Sequence, residues 1–454
     1  MKTKSYTDRV LDFWKYSMQG MIFRKYLIIS FLLIIFLVNA QQKTWSLNNC
    51  LDYALENNLS VRETALNSEI AAQQITAAYG NLLPNVYLYA DHQYNFGSVI
   101  DPTTNARMSS DIQSNSFSFS SNIELFNWGN FVRIKSAKLQ KEKAKYELEI
   151  KKNELIIQIV QAFYQLQFDQ EQLALLEAHK ENNLLNLQRI KTEVELGNKA
   201  KSDLYEMQAS LANDEQNIIA AKNAVRVSRL NLTNLLNLKE EIEIIPSEYL
   251  TTGLPLESLD LLYETGLQNR PEIKASDLQT EISQLSIQQE KSRYLPTISG
   301  NYSLSSFYVD VESSSLSNQI RNNKNHYMGI SLNIPIFNRL QTRTAVQQSK
   351  IESEQAKLQA ERQKQAYYKA LSEAYTQTQN AFEAWQSAEK NVEAQQKSFE
   401  KTEEKFRQGM IDAYGFFAAR NGLLSAQTAL LQAKYTFQYD NALLNWYVTN
   451  EIRF

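Results

Sequence analysis

The chain has 454 residues, and its 47 Lys and Arg side chains nearly balance 50 Asp and Glu side chains, giving a formal net charge of −3. This balance gives no electrostatic argument for nucleic acid or for an acidic substrate. Hydrophobic residues make up 43% of the chain, enough for a large core, which excludes intrinsic disorder. Glycine (12) and proline (7) are scarce, which disfavours the loop-rich folds of many enzymes.

Residues suited to metal, redox or nucleophilic chemistry are few. Cys50 is the only cysteine, so no disulfide can form within the chain. The three histidines, His92, His179 and His326, lie far apart in sequence, which argues against a metal cluster. No Ser-His-Asp pattern, metal-ligand spacing, phosphate-binding loop or carboxylate pair stands out. The sequence therefore predicts neither an enzyme nor a bound cofactor.

The first forty residues have the pattern of an export signal. Two basic residues precede an apolar run over 26–38, and small residues follow, so cleavage is expected between Ala40 and Gln41. Residues 1–20 add charges upstream of Met21 and are interpreted as an extended leader or as a start assigned too early. No other uninterrupted stretch of 18 apolar residues occurs, so a membrane-spanning form would need a closed β-barrel.

Long helices are predicted where glycine and proline are absent. Neither residue occurs over 130–196 or over 336–408, and both runs are rich in Ala, Leu, Gln, Glu and Lys. At 1.5 Å per residue, helices of this length reach roughly 100 Å. Apolar residues recur every seven positions in the second run, which predicts a left-handed coiled coil. These positions are Leu371, Thr378, Trp385, Val392, Phe399 and Phe406.

Four segments alternate apolar and small polar residues with a period of two, as β-strands do. They begin near Asn85, Ser116, Thr297 and Met328, and each is long enough for a tilted membrane strand. One apolar face and one polar face suit a strand between lipid and water, but a soluble sheet packed on one face alternates in the same way. Export, aromatic residues near the strand ends and the lack of an apolar helix favour the membrane alternative.

The sequence contains two copies of one pattern. A Leu-Pro pair at Leu83 recurs at Leu295, and Gly197 recurs as Gly409, each 212 residues later. A Phe-Asn pair recurs 211 residues apart, at Phe126 and at position 337. A constant offset between several landmarks is the signature of an internal duplication.

The duplication predicts the domain organisation. A signal peptide over 1–40 precedes a first repeat over 41–241, which a linker over 242–255 joins to a second repeat over 256–454. Each repeat is predicted to contain a helix, two strands and a helical hairpin that turns at a glycine.

Several of these stretches, in this order and duplicated, resemble the TolC-type outer-membrane efflux channels, the outer membrane factors of tripartite pumps. They are Ala54-Leu-Glu-Asn-Asn58, Asn269-Arg-Pro-Glu-Ile273, the two Leu-Pro strand starts, Leu-Phe-Asn-Trp-Gly at 125–129 and Ile-Pro-Ile-Phe-Asn at 334–338. The resemblance implies a mainly α fold with a β-barrel contribution. Long coiled-coil hairpins and four transmembrane β-strands per chain would assemble as a trimeric 12-stranded barrel on an α-helical periplasmic tunnel.

The resemblance also implies the function and the partners. A channel of this type conducts substrates passively from a periplasmic adaptor (membrane fusion) protein and an inner-membrane pump of the RND or ABC type to the exterior, in efflux or type I secretion. The expected partners are two further copies in a homotrimer, the adaptor, the pump and outer-membrane lipid, with no nucleic acid. The helical part would lie in the periplasm. Four strands are too few to close a barrel, which independently requires an oligomer.

A periplasmic coiled-coil adaptor or scaffold is the alternative function. Adaptors also combine helical hairpins with β segments. They usually carry compact glycine-rich β domains, however, and they do not contain a duplication of 212 residues with strands of the membrane type.

The periplasmic entrance is expected where the turns at Gly197 and Gly409 converge. Asp412 is the only carboxylate close to the second turn, and a ring of three copies would bind cations. The alternative is that Asp412 favours the start of the returning helix through the helix dipole. Phe416 and Phe417 form an apolar constriction in a second hypothesis for the gate, against which stands simple core packing.

Two further roles follow at the same end of the hairpins. Asp203, just after the first turn, is interpreted as a structural residue that accepts hydrogen bonds from neighbouring helices and helps to hold the closed state. The exposed turns are the expected docking surface for the adaptor, against the simpler interpretation that they are only solvated. The docking candidates are Gly197, Asn198, Lys199, Lys201, Gly409, Met410 and Ile411.

Overall fold

The computed structural model of the chain describes residues 44–100, 104–109, 111–240, 242–246 and 257–450. The predicted signal peptide and its cleavage site at Ala40 and Gln41 lie outside these residues, as do positions 247–255 of the predicted linker. Within the described ranges most residues are helical. No helix among them combines the length and the apolar character that crossing a bilayer requires.

The elements before the linker run helix, strands, helical hairpin. The helices are α1 (Leu47–Asn57), α2 (Leu59–Gly80), α3 (Trp128–Glu195) and α4 (Lys201–Leu235). The strands are β1 (Thr44–Trp45), β2 (Asn85–Asn95), β3 (Ser98–Ile100), β4 (Arg107–Ser109) and β5 (Ile112–Phe126). The short strand β6 (Glu243–Ile244) follows and pairs in parallel with β1.

The elements after the linker repeat this order. The helices are α5 (Leu259–Asn269), α6 (Pro271–Ser292), α7 (Leu316–Asn322), α8 (Gln341–Arg407) and α9 (Ala413–Thr449). The strands are β7 (Thr297–Val309) and β8 (Asn325–Asn333). The two polar links between paired strands, expected to be loops, contain the β3–β4 hairpin in one case and α7 in the other.

The duplicated asparagine and arginine at positions 58 and 270 mark equivalent helix breaks. Asn58 ends α1 and caps α2, since its side chain accepts a hydrogen bond from the amide of Ser60 at 2.9 Å. Arg270 ends α5, and Pro271 starts α6 without needing a backbone donor. Buried Arg270 pairs with Glu272 at 2.6 Å and lies 3.9 Å from the ring centroid of Trp446. This motif therefore has a structural role.

The predicted long helices are confirmed, with 68 residues in α3 and 67 in α8. The second helix begins five residues later than its glycine-free run, because Arg339 and Leu340 adopt positive φ angles of 54° and 64°. The fourth strand likewise ends at Asn333, two residues before Pro335, which has no amide hydrogen for a strand ladder. The heptad face of α8 packs on α9, where Trp385 stacks on Phe437.

The four long strands form one antiparallel sheet in the order β2-β5-β7-β8. Their register aligns the predicted alternation across all four strands, because directly paired residues point to the same side of the sheet. One face carries Val86, Leu88, Ala90, Phe117, Phe119, Ile123, Ile298, Leu304, Met328, Ile330 and Leu332. The other carries Asn85, Ser114, Ser116, Ser118, Ser120, Asn122, Ser299, Asn301, Ser303, Ser305, Ser331 and Asn333.

Below the sheet, the helices follow the order of the strands. Helix α2 leads into β2, α3 leaves β5, α6 leads into β7, and α8 leaves β8. Packing contacts join α2 to α3, α3 to α6 and α6 to α8. Each helix therefore continues the line of one strand. The returning helices α4 and α9 pack on α3 and α8, which completes the two hairpins.

The largest hydrophobic cluster lies midway along α3. It includes Trp45 and Cys50 at the start of the described chain, Phe163 of α3 and Leu232 of α4, and residues of α9 join it. The strand pair β1–β6 closes this cluster, since the amide of Ile245 donates to the carbonyl of Trp45 at 2.9 Å. Burial raises the pKa of the Cys50 thiol to about 12, so this thiol is unreactive at neutral pH.

Candidate functional site

The two hairpin turns have the same backbone geometry. Gly197 and Gly409 have φ angles of +79° and +72°, the left-handed region that glycine adopts without strain. The next amides, of Asn198 and Met410, donate to carbonyls five residues earlier at 2.8 and 2.9 Å. This is the Schellman arrangement that ends a helix with glycine. The duplication thus reproduces the turn in both hairpins.

A shared aromatic cluster holds the two turns together. Phe406 of α8 stacks on Phe416 of α9, with ring centroids 4.6 Å apart. Ile190 of α3 and Met207 of α4 complete the buried cluster. Phe416 has no exposed surface, whereas Phe417 is half-buried at the margin. Of the two phenylalanines predicted to form a constriction, Phe416 therefore serves as core packing in this conformation.

The first turn also contacts the second through a cation. The ammonium of Lys199 lies 3.9 Å from the centroid of the Phe406 ring, within the range of a cation–π contact. Phe416 stacks on the same ring. Lys199, predicted to be a docking residue, thus joins the two hairpins.

The two predicted acidic residues both lie at helix starts. The Asp412 carboxylate caps α9, because its Oδ1 accepts a hydrogen bond from the amide of Gly415 at 2.9 Å. Asp203 lies half-buried in the first turn of α4, where the helix dipole favours a negative charge. These positions give each carboxylate a structural role, and their functions in ion selection and in closing stay predictions.

The remaining docking candidates differ in exposure. Gly197, Asn198, Lys201, Gly409 and Met410 are exposed at the end of the hairpins. Ile411 is half-buried against the aromatic cluster. The exposed residues form a small surface of two turns, and their role in docking stays a prediction.

A buried polar network, which the sequence reasoning missed, lies beside the aromatic cluster. The guanidinium of Arg420 on α9 donates to Asp214 Oδ2 on α4 at 2.6 Å and to Ser210 Oγ at 3.1 Å. The amide of Asn183 on α3 donates to the same carboxylate oxygen at 2.7 Å. The side chains of Arg420 and Asp214 are only 5% and 9% exposed. Removing one partner of such a pair leaves an uncompensated buried charge.

Further polar contacts continue along the same side of α9 at intervals of seven residues. Two turns after Arg420, Gln427 meets His179 of α3 at 2.7 Å. Two turns further on, Lys434 pairs with Glu171 of α3 at 3.2 Å. The spacing of Arg420, Gln427 and Lys434 in a helix otherwise rich in Ala and Leu is the signal that would have predicted this polar seam.

Comparison with known families follows from this architecture. The sequence model of the family described as "Outer membrane efflux protein" matches residues 50–238 and 262–445. The chain belongs to this family. The two matched regions contain one helical hairpin each, and the predicted resemblance is confirmed.

Individual relatives are distant. The outer membrane protein TolC of Vibrio cholerae is 22% identical over 300 residues, covering 65% of this chain and 66% of that protein. The alkaline protease secretion protein AprF of Pseudomonas aeruginosa is 20% identical over 304 residues, covering 65% and 62%. Each match thus spans just under two thirds of the relative.

The fold is shared over a larger part of the chain. The crystal structure of CusC superposes with a TM-score of 0.77 at 15% identity, covering 90% of this chain and 92% of that one. The fold class is therefore that of the outer-membrane channel proteins, as the sequence predicts. The efflux protein is located in the outer membrane, with its helical part in the periplasm. Both family and fold are those of channel proteins rather than enzymes.

Proposed function

We propose that the efflux protein is one subunit of a homotrimeric channel that conducts substrates passively from the periplasm to the exterior. The observation that carries the proposal is the four-stranded sheet with one predominantly apolar face and two unpaired edges, β2 and β8. An edge with free backbone groups is not tolerated in lipid, so the sheet must close with other copies. Three copies supply twelve strands, enough to surround a water-filled pore.

The polar face of the sheet and the hairpins supply the rest of the path. Serine and asparagine side chains line the inside of the barrel, and the helices extend the tunnel through the periplasm. A periplasmic adaptor and an inner-membrane pump of the RND or ABC type deliver the substrate and supply the energy. The family description supports small expelled solutes, and the relative named for alkaline protease secretion supports a secreted polypeptide.

The entrance closes at the hairpin turns. The Arg420–Asp214 ion pair holds α9 against the first hairpin, and Lys199 on Phe406 holds the turns. Opening separates α9 from α3 and α4 along the polar seam, where water replaces the lost hydrogen bonds at little cost. Asp412 lines the entrance as the acidic candidate and Phe417 as the apolar one. The exposed turns around Asn198 and Met410 meet the adaptor.

Surface labelling on intact cells tests the proposal. A cysteine replaces Ser109, which is exposed in the β3–β4 hairpin, and a maleimide too bulky for porins is added. The parent chain is the first control, because its only thiol, Cys50, is buried. Lys201→Cys, exposed at the other end of the molecule, is the second control.

The proposal predicts strong labelling at position 109 on intact cells and labelling at position 201 only after the outer membrane is opened. Labelling of both positions only after lysis would place the whole chain in the periplasm. The alternative adaptor or scaffold function would then replace the channel.

A further inference from the structure

The sheet and the helix layer end at the same two places. The strands run β2-β5-β7-β8, and the helices beneath them run α2-α3-α6-α8. Strands β2 and β8 are the unpaired edges of the sheet. Helices α2 and α8 are accordingly the two outer members of their layer. Whatever covers the strand edges must also bring a helix beside each of these two helices.

Helix α2 exposes large apolar side chains on the side away from its neighbour. Its buried residues Ala71 and Ala78 pack towards α3. Leu66 and Ile70 are 57% and 56% exposed. They lie four residues apart, the spacing of neighbouring core positions in a coiled coil.

Helix α8 shows the same feature on its own free side. Ile351 and Leu358 are 62% and 55% exposed and lie seven residues apart, one heptad. Ser349 and Ser353 are buried on the side that faces α6, where Ser353 contacts Ser283 at 3.1 Å. Ile351 is two residues from each of these serines, which turns it about 160° away from α6 at 100° per residue.

The two stripes lie at matching distances from the sheet. Ile70 precedes the end of α2 at Gly80 by ten residues, and Ile351 follows the start of α8 at Gln341 by ten. At 1.5 Å per residue, both lie roughly 15 Å below the sheet. Leu66 and Leu358 follow at roughly 21 and 26 Å by the same measure. Side chains at equal depth on the two outer helices are placed to meet.

We infer that α2 of one copy packs against α8 of the next through Leu66, Ile70, Ile351 and Leu358. The occupant of both surfaces is a second copy of this chain, because the contact continues the pairing that β2 and β8 require. The contact is head-to-tail, so it forms a ring when the rotation between copies closes. This inference rests on the proposed function and names the residues that join its subunits.

The seam between chains differs in chemistry from a seam within the chain. Between α6 and α8 the contact is made by serine and alanine, such as Ser283, Ser353 and Ala360, so the two helices lie close together. The seam between chains uses leucine and isoleucine, which gain more free energy from burial. Large apolar residues thus lie where subunits must find each other, and small ones where chain connectivity already holds the helices.

Disulfide trapping tests this inference in isolated outer membranes. The pair Ile70→Cys with Ile351→Cys is oxidised and compared with either single variant. The expected result is a ladder of linked chains that ends at three and disappears on reduction. A control pair, Ile70→Cys with Glu352→Cys, places the second thiol one residue further, about 100° around the helix. It is expected to lose the ladder.

Two further measurements separate the possible failures. Ser283→Cys with Ser353→Cys gives a disulfide within one chain and shows that oxidation reached the helices. If that disulfide forms and the intact protein has the mass of a trimer, absence of the 70–351 ladder overturns the seam and leaves the channel standing. A single-chain mass, together with no surface labelling at position 109, overturns both proposals.

A charge pair tests the same contact without oxidation. Ile351→Lys is expected to lower the fraction of trimer, and adding Ile70→Glu in the same chain is expected to restore it, since the two side chains meet across the seam. Equal loss in the single and double variants would contradict the inferred pairing.

Discussion

Arg420 is a charged residue inside an otherwise apolar helix, and its surroundings explain how it is accommodated. Asp214 and Ser210 accept its hydrogen bonds, and Asn183 donates a further bond to the same carboxylate. Three helices from both repeats meet in this one network. A buried pair of this kind adds little net stability over an apolar substitute, but it fixes which helix faces pair.

Loss of one partner is expected to be costly. Arg420→Ala leaves Asp214 buried without its counter-ion and should lower the free energy of unfolding by about 3 kcal/mol. Denaturant unfolding of the purified protein measures this change. Lys180→Ala is the matched control, because Lys180 pairs with exposed Glu215 at 2.9 Å in the same part of the hairpin. The control is expected to change stability by less than about 1 kcal/mol.

The same variant tests the proposed closing contact. Arg420→Ala should admit a bulky hydrophilic antibiotic into cells, whereas Lys180→Ala should not. A variant that is destabilised but remains as tight as the parent would limit Arg420 to a structural role.

Asp440 on α9 predicts a dependence of stability on pH. Burial raises the pKa of its carboxyl from 3.8 to about 6. The folded state therefore binds the proton more tightly than the unfolded state, so stability falls as the pH rises from about 4 to about 6. Asp440→Asn should remove this slope and stabilise the protein at pH 7 by about 2 kcal/mol. Unfolding curves at pH 4, 5, 6 and 7 for parent and variant test the sign.

Among the elements, the hairpin turns were the most predictable. Both glycines interrupt long runs of helix-forming residues, and their offset of 212 residues marks them as equivalent. The ends of α8 and β8 were less predictable. Arg339 and Leu340 adopt left-handed backbone conformations that their residue types do not announce.

The turn glycines give a prediction for backbone strain. A Cβ at Gly197 or Gly409 would meet no atom within 4 Å, so any cost of alanine there comes from the positive φ alone. Each Gly→Ala variant should lose about 1 kcal/mol of stability. Gly80→Ala is the control, since Gly80 ends α2 with equal space and without a positive φ. It is expected to be neutral or slightly stabilising, and thermal unfolding distinguishes the two cases.

For the whole molecule, the sheet decides the relation to the membrane. Adjacent residues Ile330 and Ser331 of β8 point to opposite faces, one paired with Gly300 and the other with Ser299. Lipid faces the apolar side in the proposed channel, and water faces the polar side.

This difference gives a matched pair of variants. Ile330→Lys should cost about 2–4 kcal/mol if it lies at the middle of the bilayer, and it should reduce the amount of folded protein in the outer membrane. Ser331→Lys should be tolerated. Fractionation of cells expressing each variant measures the difference, and equal effects would argue against the orientation of the sheet.

The sequence by itself determined the elements, the duplication and the family, because these depend on local composition, on periodicity and on motifs that recur at a fixed offset. Glycine-free runs predicted α3 and α8, and period-two alternation predicted the four strands. Only the tertiary structure decided the strand order, the buried partners of Arg420 and the burial of Phe416. These depend on residues that lie hundreds of positions apart, such as Asp214 and Arg420, which no local pattern brings together.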